Sequence, residues 1–142
     1  AVSSNLAGAT TGKRLIDQMI HNGKILYIES LLLPATADSI IMEYSPRQMQ
    51  WVEENEREIW SFLLRENLLY SSRTSDFQKL IGPSPTGTTQ MPPESPGKVG
   101  NWLGWQIVRR FMEQHPELTP ADLLELKDAQ DILTRSQYRP RK

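Results

Sequence analysis

The sequence predicts an all-α fold, an irregular bundle of about three long helices followed by short C-terminal helices. Apolar residues recur every three or four positions over three long stretches, which is the period of a helix with one buried face. No alternating apolar and polar pattern persists for more than a few positions, so no strand is predicted. With 142 residues the chain is long enough for one domain with its own core. We therefore expect a flexible leader over residues 1–12 and one helical domain over residues 13–140.

The first long helix is predicted from about Lys13 to Leu32. Gly23 falls on its apolar face, which indicates that another backbone approaches closely there. The helix ends in the run LLLP, because proline disfavours a helical conformation in the residue before it. The apolar patch at residues 40–42 that follows fits either an extended segment or a turn of helix.

A second long helix is predicted from Pro46 to about Tyr70, because Ser45 offers a hydroxyl cap and proline suits the first helical position. Glu56 falls within the apolar stripe of this helix. A buried carboxylate without a partner is costly, so Glu56 is expected to be paired. Two interpretations remain open, a paired structural glutamate and a catalytic carboxylate.

A long loop is predicted before the third long helix. Residues 82–97 hold five of the ten prolines and three of the eight glycines, with no apolar period. Loops of this length are usually functional or mobile, and a mobile connection without chemistry is expected here. A short helical turn, DFQKLI, is predicted just before it.

The third long helix is predicted over residues 98–114 and is apolar on almost every side. Such a helix belongs at the centre of a fold. Gly100 and Gly104 are four residues apart and form a smooth strip that a neighbouring helix can approach. Trp102 and Trp105 lie together on one flank and are expected in the core.

Arg109 lies on the tryptophan flank of the third helix and is the predicted partner of Glu56. A guanidinium group suits a buried ion pair better than an ammonium group does. The chain is then expected to finish with two short helices, which begin after Thr119 and after Asp128 because both residues are favourable helix caps.

The composition excludes several classes of function. The net charge of −1 gives no electrostatic basis for binding nucleic acid, and the absence of cysteine removes disulfides, thiolate nucleophiles and cysteine-based zinc sites. There are two histidines, His21 and His115, and no HExxH pair. No stretch approaches the length of a membrane span. We predict no catalytic residue, no cofactor and no metal ligand.

A family resemblance rests on the stretch SPGKVGNWLGWQIVRRFMEQHPELTPADLLELKDAQDILTRSQYRP. It resembles the C-terminal end of gliding-motility lipoproteins of the GldB type. The stretches LIDQMIHNGKILYIESLLLP and WVEENEREIWSFLLRENLLYS resemble the preceding part of that family. The resemblance covers residues 13–140 and implies that the chain is the C-terminal half of a longer, lipid-anchored protein.

A more distant likeness connects that family with predicted zinc peptidases that use an HExxH helix. This chain departs from their pattern, because it has no HExxH and because Asn22 stands where such relatives would carry an acidic ligand. Asparagine is a poor zinc ligand. His21, beside it, is interpreted as a structural histidine at the edge of the apolar face.

The resemblance implies a non-catalytic domain of the cell envelope that acts as a structural or protein-interaction module. It implies protein partners in the envelope, with contact to a membrane only through a lipid anchor outside this chain. Two alternatives stay open. The first is the C-terminal half of a zinc metallopeptidase-like enzyme, and the second is a cytoplasmic helical module that shares the packing motif by descent.

Overall fold

The computed structural model describes residues 14–73, 80–81 and 97–140, and over these residues the chain is helical without strands. This confirms the predicted all-α fold. The helices in chain order are α1 (Leu15–Leu32), α2 (Asp38–Ile41), α3 (Pro46–Glu54), α4 (Glu56–Arg65), α5 (Val99–Gln114), α6 (Pro120–Glu125) and α7 (Ala129–Ser136).

The centre of the fold is the crossing of α1 and α5, with α7 packed against both. Gly23 and Gly104 form this crossing. A Cβ atom added to Gly104 would lie 1.9 Å from the carbonyl oxygen of Met19, and one added to Gly23 would lie 2.3 Å from the carbonyl carbon of Gly104. Glycine is therefore required at both positions, as the sequence pattern predicted. Gly100 serves a different neighbour, since its Cβ would lie 2.8 Å from the carbonyl oxygen of Leu80.

The predicted central position of α5 is confirmed by its burial. Ten of the residues of α5 are buried, and Trp105 and Phe111 are among the largest side chains that are fully enclosed. Trp102 is 4% exposed. A helix buried on nearly all sides explains why this stretch is apolar in almost every direction.

The N-terminus of α1 is fixed to the segment that follows α4. The backbone N–H groups of Leu15 and Ile16 donate to the carbonyls of Ser71 and Leu69, each at 2.9 Å. Asp17 accepts from the backbone N–H of Arg14 at 3.0 Å and from its guanidinium group. These bonds satisfy donors that the first turn of a helix leaves open.

The prediction of one continuous second helix is wrong, because the structure has two helices, α3 and α4, separated at Asn55. Asn55 has φ −113° and ψ 18°, and its side-chain amide donates to the carbonyl of Trp51 at 2.8 Å. An asparagine that bonds the preceding turn competes with helix propagation. The second half ends at Arg65 rather than near Tyr70, and Asn67 then adopts a left-handed conformation with φ 56°.

The predicted helix starts are confirmed at three caps. Ser45 accepts from the N–H of Gln48 at 3.1 Å, Thr119 accepts from Asp122 at 3.1 Å, and Asp128 caps α7. The patch at residues 40–42, left open by the sequence, belongs to the helical turn α2 and its C-terminal end.

The leader over residues 1–12 and most of the loop over residues 82–97 lie outside the described residues, as does most of DFQKLI. The predicted division into a leader and a single domain therefore stays a prediction.

Candidate functional site

A polar cavity of about 400 Å³ lies between α4, α5 and the segment after α7, and we call it the Glu56 pocket. It contains both polar residues that the sequence analysis singled out on the apolar flanks. Its lining residues are Glu56, Gln106, Arg109, Arg110, Glu113, Tyr138 and Arg139.

Glu56 is buried at the base of this pocket, with 5% of its surface exposed. Its Oε2 accepts a hydrogen bond from the hydroxyl of Tyr138 at 2.7 Å. The rings of Tyr138 and Trp60 pack edge to face, with their centres 5.2 Å apart. This contact restricts the orientation of the Tyr138 ring. Burial and the charge of Glu56 raise the pKa of Tyr138, so this phenol remains a hydrogen-bond donor at neutral pH.

The position of Tyr138 depends on a local turn at the end of α7. Gln137 has a left-handed conformation with φ 54° and ends the helix. The backbone N–H of Tyr138 then donates to the hydroxyl of Ser136 at 3.1 Å, and Ser136 is fully buried. This turn places the phenol opposite α4, so Tyr138 is the partner that the sequence analysis missed.

Arg109 does not pair with Glu56, so the predicted ion pair is wrong. Its Nη2 lies 3.3 Å from Oδ2 of Asp38, and its guanidinium group lies 4.6 Å from the centre of the Trp105 ring. The predicted place of Arg109 on the tryptophan flank is thereby confirmed. The short helix α2 supplies Asp38 as the competing carboxylate, and helical projection of α4 and α5 contains no information about α2.

The charges of the Glu56 pocket are only partly paired. Arg109 forms an ion pair with Asp38. No ion pair with any residue in the described ranges is formed by the other three charged side chains of the rim, Arg110, Glu113 and Arg139. The pocket therefore combines the buried carboxylate of Glu56 with the exposed carboxylate of Glu113 and with two exposed guanidinium groups that enter no ion pair among the described residues. Such a surface is suited to recognition of charged groups.

A second cavity of about 440 Å³ lies between α1, α2 and the start of α5, and we call it the Asn22 groove. Its lining is mixed, with apolar walls and a polar floor. The lining residues are Asn22, Ile25, Leu26, Glu29, Leu33, Thr36, Ile40, Ile41, Met42, Glu43, Lys98 and Asn101.

The floor of the Asn22 groove is a chain of amide hydrogen bonds. The side-chain amide of Asn22 donates to Oδ1 of Asn101 at 2.8 Å, and the amide of Asn101 donates to the carbonyl of Ile81 at 2.9 Å. At one edge, Nζ of Lys98 lies 3.3 Å from Oε2 of Glu43. Asn22 is thus a structural link between α1 and α5 and lines an open cavity.

His21 lies beside a buried lysine that the sequence analysis did not identify. Lys24 is 7% exposed, and its Nζ donates to the carbonyl of Leu126. Burial and the neighbouring charge of Lys127 lower its pKa to about 8. Burial first, and then Lys24 and Lys127, lower the pKa of His21. A signal was present, because Lys24 follows the buried Ile20 by four residues on the same helix face.

Trp105 is completely buried and its indole nitrogen has no hydrogen-bond partner in the described part of the chain. The guanidinium group of Arg109 lies over the Trp105 ring, in a cation–π contact. Trp102 and Trp105 therefore act through packing, and Trp105 also contacts the guanidinium group of Arg109.

Comparison with known protein families shows the family to which this chain belongs. The family model described as gliding motility protein GldB matches residues 1–140. The chain belongs to the gliding motility protein GldB family. No curated protein and no solved structure matches. The likeness to zinc peptidases therefore remains a hypothesis.

Membership in the GldB family indicates where the protein is located. The family is one of gliding-motility lipoproteins, which implies a lipid-anchored protein of the cell envelope. None of the helices described above is both long enough and apolar enough to cross a bilayer.

The described parts of this GldB-family chain contain no cluster of metal-ligating side chains. Within residues 14–73, 80–81 and 97–140, no three side chains of His, Cys, Asp or Glu are placed so that they could share an ion. Nδ1 of His115 donates to the carbonyl of Phe111 at 2.9 Å, and its ring stacks on Phe111 at 4.5 Å. His115 is accordingly part of the end of α5.

Proposed function

We propose that this chain is a non-catalytic domain of a gliding-motility lipoprotein and that it binds a partner protein of the cell envelope through the Asn22 groove. The proposed occupant is an amphipathic helix of that partner. Helices of this kind place apolar side chains in a groove and hold their polar face outside.

The observation that carries this proposal is the exposed apolar edge of the groove. Leu33 and Ile40 line the groove and are 50% and 66% exposed, and Leu31 and Leu32, which precede Leu33 in sequence, are 47% and 70% exposed. They are four of the six large apolar side chains that are exposed among the described residues. Exposed apolar side chains that line a cavity are typical of interaction sites.

The charges around the groove favour a partner that carries a basic residue. Glu29 lines the groove and forms no ion pair within the described ranges, and Glu43 is 79% exposed although it contacts Lys98. A lysine or arginine on the partner would meet this acidic edge. Oδ1 of Asn22 would accept a further hydrogen bond from the partner, because its amide nitrogen is the atom engaged with Asn101.

The same charges disfavour a membrane surface as the occupant. Residues 30–37 contain no lysine or arginine, and the charged residues that flank them are Glu29 and Asp38. Membrane-surface segments usually place basic residues around their apolar side chains, because these attract anionic lipid headgroups. The charged residues on either side of this segment are acidic, which disfavours that contact.

The test is site-specific crosslinking in the full-length protein within its native envelope. A photoreactive amino acid at Leu33, which lines the groove and is 50% exposed, is compared with the same amino acid at Leu64, which is 49% exposed on α4 and lies outside the groove. We expect one discrete protein adduct from Leu33 and none from Leu64. Adduct formation with lipid, or equal labelling at both positions, would overturn the proposal.

Matched substitutions connect the crosslink with function. Ile40→Asp should remove the Leu33 adduct and reduce gliding in a complementation assay, whereas Leu64→Asp should leave both unchanged. Both residues are exposed, so neither substitution should alter the thermal unfolding temperature by much. Normal gliding and a normal adduct with Ile40→Asp would contradict the assignment of the groove.

A further inference from the structure

We infer that the Glu56 pocket binds a small zwitterion, an amino acid or short peptide whose ammonium group meets Glu56 and whose carboxylate meets Arg110 and Arg139. This site is separate from the Asn22 groove and does not depend on the proposed partner. The inference rests on the burial of Glu56, on its incomplete hydrogen bonding and on the charged side chains around it that enter no ion pair among the described residues.

The recessed carboxylate is the first part of the argument. Glu56 is 5% exposed and receives one hydrogen bond, from Tyr138 at 2.7 Å. A carboxylate has about four acceptor positions. Its side chain lines the cavity. A buried carboxylate with spare acceptors that faces an open cavity is well placed to receive an ammonium group, which carries several donors.

The guanidinium groups are the second part. Arg110 and Arg139 line the same cavity and form no ion pair with another described residue. Arginine binds carboxylates through two parallel hydrogen bonds, so these two side chains favour a carboxylate over a neutral ligand. Arg109 is a poorer candidate, because Asp38 already occupies it at 3.3 Å.

The balance of charge and volume distinguishes a zwitterion from simpler ions. A simple anion would meet the carboxylates of Glu56 and Glu113, and a simple cation would meet the guanidinium groups. A molecule with both charges satisfies both ends of the pocket. The cavity of about 400 Å³ falls in the range of small-ligand sites, roughly 300–1,000 Å³, and accommodates an amino acid or a dipeptide.

The test is titration of the isotopically labelled chain with defined ligands, followed by NMR. The panel contains glycine, 4-aminobutyrate, lysine and glycylglycine, with acetate and methylammonium as single-charge probes. We expect saturable shifts of the backbone signals of Arg110 and Tyr138 with at least one zwitterion at millimolar concentration. Amino acids that bind while glycylglycine does not would identify the free amino acid as the ligand class, and the reverse would identify a peptide.

Chemical capping of the ligand tests the inference without any change to the protein. The N-acetylated and the amidated forms of the best ligand each lack one charge, and each should bind at least on the order of tenfold more weakly, since charge-assisted hydrogen bonds are lost. Equal binding of the capped forms, or no saturable shift with any zwitterion, would overturn the inference.

Two pairs of substitutions place the ligand within the pocket. Glu56→Gln should weaken zwitterion binding on the order of tenfold, while its neighbour Glu58→Gln, which is exposed and outside the cavity, should have no effect. Arg110→Gln should weaken binding about threefold, and Arg57→Gln is its matched control. Binding that is unchanged by both pocket substitutions would contradict the site.

Discussion

At the scale of single residues, the fold depends on the bond between Tyr138 and Glu56. We expect Tyr138→Phe to destabilise the protein by about 1–3 kcal/mol, because it leaves a buried carboxylate without its donor. In a Glu56→Gln background the same substitution should cost less, since a neutral amide is less costly to bury than a carboxylate. Denaturant melts of the four variants measure this coupling.

A second double-mutant cycle, which combines Arg109→Met with Glu56→Gln, provides the comparison. Its ion pair with Asp38 is partly exposed, with side-chain exposures of 35% and 45%, and such pairs contribute about 0–1 kcal/mol. The effects of Arg109→Met and Glu56→Gln should be additive within about 0.5 kcal/mol. Strong coupling between these two, with none between Glu56 and Tyr138, would restore the ion pair that the sequence predicted.

The buried amine of Lys24 predicts a dependence of stability on pH. Its pKa is lowered from 10.5 to about 8. Between these values the unfolded chain binds more protons than the folded chain, so the contribution of Lys24 to stability is present at high pH and is lost as pH falls through 8. The loss reaches at most about 3 kcal/mol at neutral pH. Lys24→Met should therefore flatten the rise in stability between about pH 7 and about pH 9.5.

The choice of pH range isolates Lys24 from its neighbours. The pKa of His21 is lowered below 6.5, and those of Tyr44 and Tyr138 are raised above 10, so these groups titrate outside the range. Lys127→Met should reduce the slope without removing it, because the charge of Lys127 is the smaller of the two causes that lower the pKa of Lys24. Lys98→Met is the control, because the charge of Lys98 does not contribute to the lowered pKa of Lys24. A slope that survives in Lys24→Met would show that another group is responsible.

These residues also show how far the sequence determines the candidate site. Projection onto a helix identified Glu56 as buried and Arg109 as lying on the tryptophan flank, because both properties depend on the period of one helix. The partners were not predictable in this way. Tyr138 is 82 residues from Glu56 and reaches it through the turn at Gln137, and Asp38 is 71 residues from Arg109.

At the scale of elements, the contact between α1 and α5 is controlled by glycine. We expect Gly104→Ala to destabilise the protein by about 3 kcal/mol or more, because its Cβ would lie 1.9 Å from the carbonyl oxygen of Met19 and the two backbones would have to separate. The intrinsic preference of helices for alanine, about 1 kcal/mol, acts in the opposite direction and is too small to compensate. Thermal and denaturant unfolding measure the change.

Gly100→Ala is the graded comparison for this prediction. Its Cβ would approach the carbonyl oxygen of Leu80 at 2.8 Å, a milder clash, so the loss of stability should be smaller. Ser61→Ala, at an exposed position of α4, should be nearly neutral. Wild-type stability in Gly104→Ala would mean that α1 and α5 do not cross at these glycines.

Helix boundaries were predicted well where a side chain caps the end and poorly where a helix is interrupted internally. Ser45 and Thr119 each stand before a proline, a pattern that combines a hydroxyl acceptor with a residue suited to the first turn. The break at Asn55 has no such pattern, because asparagine is tolerated inside helices. Its local bond to Trp51 is visible only in the structure.

At the scale of the whole molecule, the apolar period was sufficient to predict the fold class and the central helix. The period specifies which face of each helix is buried, and Gly23 and Gly104 specify where two of the helices touch. It does not specify how the short helix α2 is placed, because four residues carry no measurable period. Both candidate cavities border α5, and Asp38 on α2 contacts Arg109 in one while Ile40 and Ile41 line the other, so the sites were harder to predict than the fold.

The two competing functions of the whole molecule differ most sharply in their prediction for zinc. We expect the chain to bind no stoichiometric zinc. Zinc sites in proteins use neutral histidine, thiolate or carboxylate ligands, usually four of them. Of the two histidines, His115 is engaged by the Phe111 carbonyl, and His21 lies near the charges of Lys24 and Lys127, which oppose the approach of a cation.

Elemental analysis of chelator-treated protein, dialysed against zinc and then against buffer, measures this directly. We expect well below one zinc per chain, the same in the wild type and in His21→Ala. About one zinc per chain that is lost in His21→Ala would favour the metallopeptidase-like alternative, because His21 would then act as a ligand in spite of its cationic neighbours. The same measurement on the full-length protein separates the alternatives further. Zinc that is bound by the full-length protein and retained in full-length His21→Ala would place the metal outside this domain and would leave its proposed role in binding a partner intact.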